Sequence, residues 1–149
     1  MGYQTSFYMH IIVFAKLIRA SERTGRSIES IIKQVMRNYA KDHKQMQIKE
    51  GTVKYQERDE KNNWKVFRIA LDRDDYELFT DMRKVMKKSV SYLVALAVDK
   101  YLDLIISKIL KNIYVYMKLK HLSLGNKIYG FINWVLTWRI YKEPIKKRM

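Results

Sequence analysis

The residues that could carry catalytic chemistry are few and widely spaced along this chain. The chain has no cysteine, which excludes disulfide scaffolds, thiolate nucleophiles and cysteine-based zinc sites. Its three histidines lie far apart in sequence and form no metal-binding pair; they are His10, His43 and His121. An acidic cluster, Glu57, Asp59 and Glu60, lies in a polar run that is typical of a solvated turn. We therefore expect no enzymatic activity, no metal site and no cofactor.

Basic side chains are the distinctive residues, because 30 lysines and arginines outnumber 15 acidic residues and give a formal net charge of +15. Much of the excess lies in residues 107–149, which contain ten bases and one acid. Such a block implies a polyanionic partner, either nucleic acid or an anionic membrane surface, although charge also serves solubility. No stretch reaches the roughly 18 apolar residues of a membrane span, and no basic segment precedes the apolar run at 7–15. We expect a cytoplasmic protein.

Helical patterns account for most of the first 40 residues. Apolar residues recur at helical spacing over 10–24, and Gly25 is a typical helix-ending residue. Ser27 is a good N-cap for a second helix, whose apolar stripe begins at Ile28 and whose first turn carries Glu29. The sequence therefore predicts two helices joined by a short turn.

The second half opens with a different pattern. Apolar residues alternate with other types over 65–71, which predicts a β-strand with one apolar face. Asp72 is a good N-cap for a helix that reaches Met86. A short basic turn at 87–89 precedes a helical pattern that continues to about residue 120, as one long helix or as two helices joined by a kink. Between the halves, residues 41–63 form a polar linker, in which 52–57 is a candidate short strand.

The two halves match each other at a single offset of 62 residues. At this offset Ser27 coincides with Ser89, and the two helices and their turn stay in register without a gap. The match weakens before the first helix, where His10 falls on the cap Asp72. Shared helical periodicity is the alternative explanation of the match.

The order of an alternating strand, a capped helix, a basic turn ending in serine and a second helix resembles the ribbon-helix-helix family of DNA-binding proteins. The resemblance implies a mostly α-helical fold with a small β-ribbon. Two units in one chain, a degenerate one at 1–40 and another at 64–106, would form an intramolecular pseudo-dimer. Residues 107–149 would be a basic, aromatic helical extension. Residues 55–57 also look similar to part of an uncharacterised family of spirochaetal proteins.

The resemblance also implies a DNA site, because the family's two-stranded ribbon enters the major groove. The implied base-reading residues on the outward face are Gln4, Ser6, Tyr8, Val66, Arg68 and Ala70. The implied phosphate contacts around the second helix of each unit are Arg26, Ser27, Lys87, Lys88 and Ser89. Arg68 suits base reading best, since a guanidinium binds guanine bidentately, whereas Val66 and Ala70 are poor readers. Alternatively, the serines are plain N-caps, Arg68 is a solvated strand residue and the lysines complement a helix dipole.

The sequence thus predicts a DNA-binding protein, used as a transcriptional regulator, with DNA as its partner and homo-oligomer formation as a further option. One alternative is a protein-interaction or assembly module of the same fold. Another is a peripheral membrane protein that uses residues 107–149. Aromatic residues recur there at helical spacing, which fits a helix packed on the core, an interfacial helix or a stacking surface for nucleic acid.

Overall fold

The computed structural model describes residues 2–44, 47–58 and 63–124, with side chains up to residue 120. Within these ranges the chain is mostly helical and contains one two-stranded sheet. The elements, in order, are β1 (Tyr3–His10), α1 (Ile11–Thr24), α2 (Ile28–Asp42), β2 (Trp64–Leu71), α3 (Arg73–Met86) and α4 (Val90–Leu124). The order of one strand and two helices therefore occurs twice. The aromatic part of the predicted C-terminal extension, residues 125–149, lies outside the described residues.

The strands β1 and β2 pair antiparallel over all eight residues of each. The strand predicted at 65–71 is confirmed, and the degenerate first strand forms a partner of equal length. Four inward-facing residues, Phe7, Met9, Ile69 and Leu71, are at most 3% exposed, and Thr5 and Phe67 on the same face are partly buried. Because an isolated two-stranded ribbon is marginal in water, its stability depends on the helices that cover this inner face.

The helix boundaries follow the capping residues. The Ser27 hydroxyl accepts the N–H of Ser30 at 3.1 Å, and the Asp72 carboxylate accepts the N–H of Asp75 at 2.8 Å. Gly25 ends α1 in the left-handed conformation, with φ of 67°. The helix α2 ends at Asp42, two residues beyond the predicted unit boundary of 40. At 52–57, where a short strand was a candidate, the structure forms a single β-bridge between Lys54 and Lys88.

Buried positions in the two halves correspond at the offset of 62 residues. Every buried residue before the linker has a buried counterpart 62 positions later. The pairs are Phe7 with Ile69, Met9 with Leu71, Val13 with Asp75, Leu17 with Phe79, Ala20 with Met82, Thr24 with Met86, Ile31 with Leu93, Ile32 with Val94, Val35 with Ala97, Met36 with Val98, and Tyr39 with Tyr101. Corresponding positions therefore form the hydrophobic core in both halves.

The packing of α2 against α4 brings together two tyrosines that are themselves 62 residues apart. The Tyr39 and Tyr101 rings meet edge to face, with centroids 5.9 Å apart, and each side chain is 5% exposed. The Tyr101 hydroxyl donates a hydrogen bond to the carboxylate of Asp42. Burial, and secondly this hydrogen bond, raise the pKa of Tyr101 well above its usual value. Burial also raises the pKa of Tyr39.

Among the described residues, two ion pairs cross between the halves. Arg37 on α2 binds the carboxylate of Asp75 on α3 through two hydrogen bonds of 2.9 and 2.8 Å. The Asp75 side chain is 3% exposed, whereas Arg37 is about half exposed. Lys16 on α1 reaches Asp99 on α4 at 2.8 Å, and both of those side chains are exposed. Arg37 and Asp99 stand 62 residues apart, so corresponding positions carry opposite charges.

We expect the fold to lose stability above about pH 10, the usual tyrosine pKa. A group whose pKa is raised by folding stabilises the folded state below its unfolded pKa, and that contribution disappears as pH rises towards the folded pKa. Tyr101→Phe should lower the free energy of unfolding by about 1 kcal/mol at neutral pH and reduce its alkaline decline. Urea unfolding over a pH series measures both, with the exposed Tyr114→Phe as the control. An unchanged alkaline decline in Tyr101→Phe would contradict this assignment.

The buried carboxylate of Asp75 makes Arg37 a sensitive position. Arg37→Met leaves that carboxylate without its cation and should lower the free energy of unfolding by about 2–3 kcal/mol. Lys16→Met removes the exposed pair with Asp99 and should cost less than about 1 kcal/mol. Chemical denaturation of both variants gives the comparison. Equal losses of unfolding free energy in the two variants would show that burial of Asp75 does not determine the strength of its ion pair with Arg37.

Candidate nucleic-acid interface

The outer face of the β1–β2 ribbon collects all six predicted base-reading residues. Side chains alternate along a strand, so burial of one face turns the intervening residues outward. The six residues lie in three directly opposed pairs, Gln4 with Ala70, Ser6 with Arg68, and Tyr8 with Val66. All six are exposed. The ribbon therefore presents a continuous surface of mixed chemistry, whatever its ligand.

Arg68 lies at the middle of this face, opposite the small side chain of Ser6. Among the described residues, Arg68 makes neither an ion pair nor a hydrogen bond through its side chain. Within the described part of the chain, the guanidinium donors of Arg68 are open to a ligand. Bidentate donation to adjacent acceptors, as on a guanine edge or a phosphate, is the interaction that this group forms best.

The turn before α2 holds Arg26 and Ser27 on an exposed corner. The carbonyl of Arg26 accepts the Ser21 hydroxyl at 2.6 Å, and its N–H donates to the Thr24 hydroxyl at 3.3 Å. Arg26 and Ser27 line a groove of about 870 Å³ whose lining residues come from this turn, α2 and α4, and not from the ribbon. Ser27 is the N-cap of α2, which agrees with the alternative interpretation of this serine as a plain N-cap.

The turn before α4 differs, because the chain between α2 and β2 lies against it. We call residues 47–58 the connector. The N–H of Lys54 donates to the carbonyl of Lys87, and the N–H of Ser89 donates to the carbonyl of Lys54, both at 2.8 Å. The Ser89 hydroxyl accepts the N–H of Tyr92 at 3.2 Å, so it too acts as an N-cap. Ser27 is exposed and Ser89 is buried, and the two predicted phosphate clamps are therefore unequal.

One further contact places the start of α4 beside the ribbon, and another fixes the basic turn on α4. The N–H of Tyr8 donates to the hydroxyl of Ser91 in the first turn of α4, at 3.1 Å. The Lys88 ammonium lies 5.0 Å from the centre of the Tyr92 ring. The structure thus brings the basic turn at 87–89 close to the Tyr8 end of the outer face.

Sequence reasoning missed two residues in this region. His10 is the N-cap of α1, since its Nδ1 accepts the N–H of Ile12 at 3.2 Å. The signal was its alignment with the cap Asp72 at the offset of 62. Arg58 of the connector lies over the Tyr8 ring, with the guanidinium carbon 4.0 Å from the ring centre. No local pattern marks Arg58, because the contact joins a polar linker to a distant strand.

The part of the chain that the structure describes contains no group of three or more histidine, aspartate or glutamate side chains placed to hold a metal ion. None of its helices is long and apolar enough to cross a membrane. Comparison of the chain with protein-family models, with curated proteins and with solved structures found no match.

Lys87 ends α3 in the left-handed conformation, with φ of 53°, at the position that corresponds to Gly25. A side chain in this conformation is strained, and glycine is not. We expect Lys87→Gly to raise the free energy of unfolding by about 0.5–1 kcal/mol. Denaturant titration tests this, with Lys88→Gly as the control that should be destabilising. A loss of stability in Lys87→Gly would mean that contacts of the lysine side chain outweigh the backbone strain.

Proposed function

We propose that this chain is a DNA-binding protein, used as a transcriptional regulator, that reads the major groove with the β1–β2 ribbon. The observation that carries the proposal is the exposed ribbon face, with Arg68 at its centre, whose guanidinium has no side-chain partner among the described residues. The major groove of B-DNA is wide enough for a two-stranded ribbon and presents a distinct pattern of donors and acceptors for each base pair. The excess of 30 basic over 15 acidic residues supports a polyanionic ligand.

The proposal includes an intramolecular pseudo-dimer of two ribbon-helix-helix-like units. In support, Ser6 and Arg68 are 62 residues apart and lie opposite each other. An exchange of the two halves about this point converts the Gln4–Ala70 pair into the Val66–Tyr8 pair. The caps and the buried residues follow the same offset. A pseudo-two-fold axis through the ribbon centre and between Tyr39 and Tyr101 accounts for these correspondences.

Phosphate contacts in this proposal flank the ribbon. Lys87 and Lys88 supply positive charge at the end of the ribbon that contains Tyr8, next to the hydrogen bond between Tyr8 and Ser91. Arg26 and Ser27 occupy the corresponding turn of the other unit, where the helix start is more exposed. Phosphate contacts fix orientation without base identity, so these residues contribute affinity and Arg68 contributes selectivity.

Selection of bound sites from random duplex DNA, followed by affinity measurements on the preferred site, tests the proposal. Arg68→Ala should weaken binding to that site by about 1–3 kcal/mol and relax its sequence preference. Lys88→Ala should weaken binding to all duplexes alike and make the dependence of log K on log salt shallower by about 0.9. Arg73→Ala is the matched control, because Arg73 is exposed on α3 and already paired with Glu77.

Two results would count against the ribbon. If Arg68→Ala and the Arg73→Ala control bound the preferred site equally well, the exposed face would not be the reading surface. If the intact chain bound no duplex at low salt, DNA binding itself would be rejected.

The second candidate is a protein-interaction module, and the groove between α2 and α4 is the observation that favours it. The groove combines cations of α2, such as Lys33 and Lys41, with apolar residues of α4, such as Ile109 and Ile113. An acidic amphipathic segment would match both kinds of residue. This candidate would replace the first if the chain failed to bind duplex DNA. The membrane alternative depends on residues 107–149, most of which lie outside the described part.

A further inference from the structure

The connector is fixed to the second half of the chain by its backbone. Lys54 exchanges two hydrogen bonds of 2.8 Å with the turn before α4, and the N–H of Lys49 donates to the carbonyl of Val85 at 3.1 Å. The Arg83 guanidinium also reaches the Tyr55 hydroxyl at 3.5 Å. Although the connector contains no strand or helix, residues 49–55 are therefore held at several points along the last turns of α3 and the turn before α4.

The end of the connector lies on the exposed ribbon face. Arg58 is stacked over Tyr8, and both side chains are exposed to solvent. Among the described residues, Arg58 forms no ion pair and no side-chain hydrogen bond. A guanidinium over an aromatic ring keeps its N–H edge open, so the ring positions the cation without using its donors.

The surroundings of Arg58 are both basic and aromatic. A hollow of about 740 Å³ lies beside the ribbon end, and its lining includes the cations Lys54 and Arg58, the rings of Tyr55, Trp64 and Tyr92, and the acidic Glu57. Cations that lie among aromatic rings are suited to phosphates and to bases that stack. The hollow adjoins the outer face at Tyr8, so one extended ligand can reach both surfaces.

Among the described residues, the opposite end of the ribbon lacks this arrangement. The position that corresponds to Tyr8 is Ala70, which has no ring to support a cation. Gln4 lies opposite Ala70, and the adjacent Tyr3 stacks on Tyr76 of α3 at 4.6 Å. The two ends of the exposed face are therefore chemically different.

We propose that Arg58, supported by Tyr8 and joined by Lys54, is a third DNA-contacting element that acts at one end of the ribbon only. This inference rests on the proposed function. Its consequence is a bound site without palindromic symmetry, because the flank next to Tyr8 receives a guanidinium that the other flank does not. Arg58 contributes both charge and bidentate donors there, whereas Lys54 contributes charge alone.

The test uses the full-length chain and the duplex selected with it. Arg58→Ala should weaken binding about tenfold and make the salt dependence shallower by about 0.9, the value for one phosphate contact. The loss of base preference should be confined to one flank of the site. Arg58→Lys should restore the salt dependence but not the preference on that flank.

Lys49→Ala is the matched control, since it removes one exposed connector cation that lies near α3 rather than on the ribbon. It should change affinity less than twofold. Equal losses in Lys49→Ala and Arg58→Ala would indicate general attraction and overturn the inference. Urea unfolding of each variant verifies that the fold is retained.

The outcomes separate the two proposals. If Arg68→Ala weakens binding while Arg58→Ala leaves it unchanged, the ribbon reads DNA and the connector contact is wrong. If Arg58→Ala tightens binding, the arginine covers the ribbon in the free protein, which also overturns the inference. If the intact chain binds no duplex, both proposals fail together.

Discussion

The pairing of β1 with β2 is the constraint on which the rest of the structure depends. Each half of the chain supplies one strand, and a two-stranded ribbon without a packed face is marginal in water. Burial of Phe7 and Ile69 beneath the ribbon therefore needs helices from both halves at once. Neither half contains a second strand to pair with its own, so the ribbon forms only when both halves are together. The same pairing turns Ser6 and Arg68 outward, which links the stability of the core to the composition of the exposed face.

The ion pairs between the halves favour the pairing of a first half with a second half over the pairing of two identical halves. Arg37 meets Asp75, and at the corresponding position Asp99 meets Lys16. A pair of two first halves would place Arg37 against Val13, because Val13 corresponds to Asp75. Both ion pairs would then be lost. Opposite charges at corresponding positions thus favour the pairing of a first half with a second half. Because both halves belong to one chain, each first half always has a second half beside it.

Much of the fold could be predicted because its signals are local. Apolar spacing and the capping residues Ser27 and Asp72 predicted the helices, and alternation predicted β2. The first strand was predicted only as a degenerate copy. Thr5 stands where β2 has Phe67, and His10 caps a helix through a ring nitrogen, which the usual list of capping residues omits. The exposed face followed from alternation alone, once the pairing of the strands was assumed.

The connector could not be predicted, since its contacts are long-range and mostly between backbone atoms. The bonds of Lys54 to the turn before α4 depend on no side chain, so the residue type carries no signal. The stacking of Arg58 on Tyr8 joins residues from different halves of the chain. For the same reason, the difference between the exposed Ser27 and the buried Ser89 is invisible in a sequence where the two serines align.

The length of α4 has a consequence for how the positive charge acts. The helix begins beside the ribbon, where Ser91 binds Tyr8, and it continues to Leu124. At about 1.5 Å per residue, Lys118 lies about 40 Å along the axis from Ser91. The Debye length is only about 8–10 Å at physiological ionic strength. The lysines at the far end of α4 therefore contribute little to the potential at the ribbon, which depends on the basic residues close to it.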